Sequence, residues 1–244
     1  MEHQAASADP VIAFAGGGAS ATLAAVALLR TTTWLRLSYR MLVFDEYGRH
    51  ARGPAYAASD DRQLLRTSVK GMSAFPDRPC HLLEWARWRG LPCDPDTHLS
   101  LRVYGDYLAE TLAETVSWAR PHATLQRRTA RVVGASADNG LAEVRLAQGE
   151  RLPVAAVVVA TGDPAAHAPP RITGIAAGDA GTELVTCPKG ALITGSGEAS
   201  RRLFALGPVR RDHRADGIPQ IRVQAEELAQ RIADTVLRDR APAS

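Results

Sequence analysis

The chain has 244 residues, 45% of them hydrophobic, which allows one large domain with a sizeable core. Its 29 Lys and Arg against 26 Asp and Glu leave a net charge of +3, with no long basic run or aromatic-interleaved stripe, so no nucleic-acid partner is expected. No stretch is long and apolar enough to span a bilayer, Met1 to Pro10 carries no signal-peptide pattern, and Cys80, Cys93 and Cys187 form neither a C-x-x-C nor a zinc-type cluster. The expectation is a cytoplasmic protein with no metal site and no membrane partner.

The polar residues 1–10 read as a flexible tail, and residues 11–240 as one domain. Val11 to Arg30, VIAFAGGGASATLAAVALLR, then reads as strand, tight turn and helix. In the spacing G-x-G-x-x-G, Gly16 and Gly18 occupy the first two positions and Ala21 the third. The first glycine permits a sharp turn, the second a close approach of backbone to a pyrophosphate, and the third close packing of helix on strand. Ala19 and Ser20 open the helix, whose N–H groups and dipole favour an anion. The apolar run Met41 to Phe44 ends in Asp45 and Glu46, where a carboxylate can accept the hydroxyls of an adenosine ribose. The pattern reads as an adenine-dinucleotide site, against the alternative of a glycine turn beside a solvated acidic pair.

GRHARGPAY, Gly48 to Tyr56, is basic and rich in turn residues, and Arg52 either meets a phosphate or ring carbonyl or belongs to a solvated loop. Residues 65–122 read as a helical insertion, with one helix over Pro79 to Arg89 and a second over Leu101 to Arg120. In the second, Tyr104, Tyr107, Leu108, Leu112 and Val116 form the apolar face, and Asp106 and Glu110 are expected in solvent. Residues 124–160 read as a β-meander whose strands, Thr124 to Gly134, Leu141 to Leu146 and Leu152 to Ala160, are separated by Asp-Asn-Gly and Gly-Glu turns, and which returns to the main sheet as VVVATG. ALITGSGEAS, Ala191 to Ser200, offers a second G-x-G, but the apolar run that follows leaves no room for a helix and makes it a hairpin turn. Ile218 to Leu237 is a final amphipathic helix with Ile221, Val223, Leu228, Ile232 and Val236 as core positions.

Several of these runs are collinear with a known family. ARGPAY, LLRTSVKGMSAFPDRPCHLLEWARWRG, VYGDYL, VVVATGDP, LFALGP and IPQIRVQA together span nearly the whole chain. On these runs it resembles the FAD/NAD(P)-binding proteins. The resemblance implies an α/β, Rossmann-like FAD-binding fold in three layers, with a β-meander and a C-terminal helix aimed at the flavin. It implies FAD held by Gly16, Gly18, Ala19, Ser20, Asp45, Glu46, Arg52, Thr161, Gly162 and Gly207. Met72, Ser73 and His81 are the candidates for a group facing flavin or substrate, and for His81 a capping or packing role stays open.

Two departures from the family stand out. Only Asp163 to Thr194 separate the ATG strand from the closing segment, too little for a second nucleotide-binding domain, and the usual Trp-Glu pair before the last helix is absent. The expected function is an FAD-dependent oxidoreductase acting on a small molecule, with electrons from the substrate, a transient nicotinamide or a partner reductase. A flavin-pocket enzyme for a non-redox cyclisation or isomerisation, and a non-catalytic flavin-binding partner subunit, are the alternatives.

Overall fold

A computed structural model describes residues 9–57, 61–138, 140–176, 183–211 and 217–238. The tail expected over residues 1–10 therefore lies mostly outside the described residues, as does His213.

Strand β1 (Val11–Ala15) is apolar throughout, as a strand covered on both faces must be. It pairs in parallel with β2 (Tyr39–Asp45) on one side and β7 (Ala156–Val159) on the other. Parallel pairing continues outward to β3 (Ala123–Thr129) and β10 (Ala199–Ala205), and β9 (Ala191–Ile193) closes the sheet antiparallel, in the order β3-β2-β1-β7-β10-β9. The registers Ala15↔Phe44, Ala15↔Val159 and Ala205↔Val159 align the strand ends. The turns after β1, β2, β7 and β10 therefore emerge together at one edge.

The period-two alternation of β1 divides the core. Ile12 and Phe14 pack on the helical side, while Ala13 faces the other layer with Phe44, Val157 and Val159. On the helical side, α1 (Ala19–Trp34) is buried on nearly every face because it lies between the sheet, α4 (Leu101–Ala119) and α5 (Ile218–Ile232). The opposite face carries a smaller sheet, ordered β6-β5-β4-β8, of β4 (Val132–Asp138), β5 (Leu141–Leu146), β6 (Arg151–Val154) and β8 (Arg171–Ile172). The three-layer α/β fold is as the sequence implies.

The meander differs in its extent. The run beginning at Thr124 is two strands: β3 belongs to the large sheet and β4 to the small one. The crossing falls at Ala130, whose N–H donates to the Asp45 carbonyl, and Arg131, whose carbonyl accepts from Ala147 N. The run Leu152 to Ala160 divides likewise at Ala155, which donates to the Val11 carbonyl. The second crossing is marked in the sequence, where the partly exposed β6 gives way to the continuously apolar and buried β7, as the expected return to the main sheet requires; the first crossing, between two partly exposed strands, has no such mark.

The four-residue helix α2 (Gly53–Tyr56) follows the basic loop, and α3 (His81–Trp88) and α4 occupy the expected helical segments. Ser100 caps α4, its hydroxyl accepting from Val103 N at 3.2 Å. Asp106 and Glu110 are partly exposed but engaged: Asp106 pairs with Arg52, and Glu110 accepts from Trp85 Nε1 and pairs with Arg89. In α5, which continues into a π-helical turn over Ala233–Leu237, Val223 is half exposed, and Ala225 and Ala229 fill core positions in its place. Ala191 to Ser200 forms the expected hairpin, with Thr194 N donating to the Glu198 carbonyl at 2.8 Å.

Candidate functional site

At the edge where the parallel strands end lies a cleft of about 740 Å³. Its floor is the glycine turn. Gly16 has φ +111°, and a Cβ there would stand 2.4 Å from the Ala160 carbonyl oxygen, so only glycine fits. A Cβ on Gly17 would meet Asp45 Cβ at 2.7 Å. Gly18 lies against Gly53 of the next loop, which is held by an Ala51 N–H bond to the Gly17 carbonyl of 2.7 Å. Gly18 also caps α1 without a side-chain hydrogen bond, and Ala19 and Ser20 of that first turn line the cleft. Ala21 is buried, as the third glycine position requires.

The two carboxylates after β2 have separate surroundings. Asp45 is 9% exposed, and its Oδ1 accepts from Tyr47 N at 3.0 Å and Arg49 N at 2.8 Å. One oxygen thus holds the turn. Glu46 is exposed, with a loose 3.8 Å contact to Arg131, and both acids line the cleft. Arg52 lines it too, but its charge is engaged: Nη2 lies 2.6 Å from Asp106 Oδ1. Gly105 lets α4 approach this loop, since a Cβ there would be 2.4 Å from the Tyr56 carbonyl oxygen.

Thr161 and Gly162 form the opposite wall. Gly162 takes φ +83°, and Thr161 Oγ1 is buried with no hydrogen-bond partner among the described residues. Such an orphaned hydroxyl costs stability unless something bonds it. Next, Asp163 Oδ1 accepts from Ala165 N, and the Asp163 carbonyl from His167 N, in a turn that brings His167 to the cleft. Its Pro-rich setting reads as an ordinary loop, and only the fold shows its place. His50 lies in the turn after β2 with its Nδ1 buried against Gly17, without a partner among the described residues, and burial lowers its pKa despite the Asp45 carboxylate.

Gly207 is not among the lining residues. At φ +77° it is wedged between helices, its N–H donating to Gln224 Oε1, and a Cβ would stand 2.6 Å from Ser20 Oγ. Pro208, Gly217, Ile218 and Ile221 reach the cleft instead. The N-terminal turn of α5 is therefore part of the wall.

Met72, Ser73 and His81 lie away from the cleft. Met72 is core, and Ser73 is fully buried, its hydroxyl donating to the Arg78 carbonyl at 2.7 Å and accepting from Phe75 N. His81 Nδ1 meets the Tyr107 hydroxyl at 2.9 Å, and its ring packs edge-on against Phe75. Burial, then the nearby Arg78 charge, lowers its pKa to about 4. The loop is tied to α5 by Arg222 Nη1, which donates to the Ser73 carbonyl at 2.8 Å. These residues shape the helical layer, their polar atoms engaged by partners within the protein. Among the described residues no group of three His, Cys, Asp or Glu side chains can hold a metal.

A family profile described as FAD-NAD(P)-binding matches residues 13–164. No curated protein matches the sequence. Among solved structures, the chain is similar to a flavin-containing monooxygenase from Stenotrophomonas maltophilia (20% identity, 64% of this chain and 39% of that one, TM-score 0.43). It is also similar to S-allyl-L-cysteine S-oxygenase from Allium sativum (17% identity, 69% and 39% covered, TM-score 0.45). A third is a thioredoxin reductase from Gloeobacter violaceus (17% identity, 64% and 35% covered, TM-score 0.36). The chain spans about two fifths of the length of these proteins or less. FAD fits the cleft: bare backbone at Gly18 and Gly53, an uncapped helix start, and the unbonded Thr161 hydroxyl are features that a dinucleotide would satisfy.

Proposed function

The chain belongs to the FAD-NAD(P)-binding family, and on that premise we propose that it is an FAD-dependent oxidoreductase acting on a small molecule without a nicotinamide domain of its own. The observation that carries this reading is the cleft at the ends of β1, β2, β7 and β10, floored by the glycine turn and walled by the start of α5. Bound there, FAD would supply the redox chemistry, and the protein its orientation and electrostatics.

The chain's own groups take complementary parts. N–H groups of Ala19 and Ser20 bind the pyrophosphate at the positive end of α1. Glu46, with the second oxygen of Asp45, accepts the ribose hydroxyls. Thr161 adds one hydrogen bond. The Arg52 guanidinium, balanced by Asp106, orients the loop that carries Gly53. Lack of a nicotinamide domain is supported by the shortness of Asp163 to Thr194, where the described residues form β8, β9 and isolated bridges and no helix. Reducing equivalents then come from the substrate, a transient nicotinamide or a partner reductase.

The test is the absorption spectrum of the purified protein, with identification of the molecule released on denaturation, followed by anaerobic addition of NADPH. A flavin spectrum and released FAD are expected. A colourless protein that cannot be reconstituted with FAD would overturn the proposal, and bound FAD that stays oxidised through turnover would replace redox chemistry with cyclisation or isomerisation.

A further inference from the structure

We infer that the end of the molecule opposite the cleft is a docking surface for an anionic lipid membrane, with Trp34 and Trp118 as its anchors. The helices α1 and α4 both run away from the cleft edge and end where β2 and β3 begin, at the other edge of the parallel sheet. Trp34 closes α1 and is 81% exposed, and Trp118, one residue from the end of α4, is 47% exposed. Their rings meet edge to face at 6.0 Å. Leu35 beside them is also exposed.

The fold leaves this pair in water although both residues have large apolar area. The charges around it indicate the partner. Arg36 follows Trp34 and Leu35 directly, Arg120 lies two residues after Trp118, and Arg40 stands on β2 at the same edge; all three are exposed. No ion pair involves any of the three among the described residues. Glu114, one turn before Trp118 on α4, and Asp9, beside the Pro10 whose carbonyl accepts from Arg40 N, are the acids set against these three arginines, so cations are in excess by one. A second copy of this chain would bring like charges together, whereas an anionic surface matches them. Tryptophan and arginine are both suited to the lipid headgroup zone, with apolar area inward and polar atoms at the headgroups. A peripheral dock needs no spanning segment, and it leaves the cleft facing away from the bilayer.

The full-length protein, as purified, is mixed with vesicles of phosphatidylcholine alone or with phosphatidylserine, and partitioning is read by sedimentation and by the blue shift of tryptophan emission. Binding to the phosphatidylserine vesicles alone is expected, and it should vanish near 1 M salt, where screening acts within about 3 Å. W34S/W118S should lower partitioning roughly tenfold, and R36Q/R120Q roughly fivefold for each arginine. Both pairs are exposed, so thermal melts of the variants should match the parent. Partitioning that the tryptophan changes leave intact, or no partitioning at all, overturns the proposal. So does a concentration-dependent dimer that W34S dissolves, which would assign the surface to a second copy.

Discussion

A Cβ built on Gly53 would stand 2.9 Å from the Gly18 Cα, so the loop after β2 rests directly on the glycine turn. The two glycines, 35 positions apart, make one surface.

This contact predicts unequal tolerance. Gly53 has φ +61°, and Gly53→Ala combines a left-handed penalty of about 1–2 kcal/mol with a backbone clash. Gly18 has φ −81°, and its Cβ would lie 3.4 Å from Gly53 Cα. Gly18→Ala should therefore fold with nearly the parent's melting temperature, whereas Gly53→Ala melts lower; Gly18→Val, with two further carbons in the cleft, should lose FAD. Flavin content and thermal melts check all three.

The two acids separate stability from binding. Asp45→Ala deprives Tyr47 N and Arg49 N of their acceptor and should cost about 2 kcal/mol in urea unfolding. Glu46→Gln leaves unfolding unchanged and weakens FAD. Equal loss of stability in the two variants would contradict this division.

Thr161→Val removes a hydroxyl that no protein group bonds among the described residues. The FAD-free protein should be as stable as the parent or more so, while the dissociation constant for FAD rises about fivefold, the value of one hydrogen bond. Titration calorimetry with the apoprotein measures this directly.

His81 makes stability depend on pH. Its pKa is about 4 in the folded protein against 6.5 when free, so the unfolded chain binds the proton more readily between those values. Stability contributed by the neutral ring is complete above pH 6.5 and falls as pH drops toward 4. His81→Asn should flatten the melting temperature over that window. FAD affinity at pH 7.5 should not change, because the ring lies away from the cleft.

Ser73→Ala should lower unfolding free energy by about 1–3 kcal/mol, since it leaves Phe75 N buried without its acceptor. Turnover per bound flavin should equal that of the parent. A selective loss of turnover would restore Ser73 as a catalytic candidate.

Much of this was legible in sequence because it is local. An apolar run, glycines at fixed spacing and an Ala/Leu segment specify strand, turn and helix over 20 consecutive residues, and the collinear motifs identify the FAD-binding fold. The hairpin at Gly195 and Gly197 was legible for the same reason: no helix has room to follow it. Tertiary structure decided what depends on distant partners. It consumed one oxygen of Asp45 in a turn, paired Arg52 with Asp106, turned Gly207 into a wedge against Ser20, and placed Met72, Ser73 and His81 in packing. It also brought His167 to the cleft and left Trp34 beside Trp118 in solvent. Residue type and spacing state which bonds a side chain can make; which partners reach it, and whether water does, is settled only when segments far apart in the chain pack together.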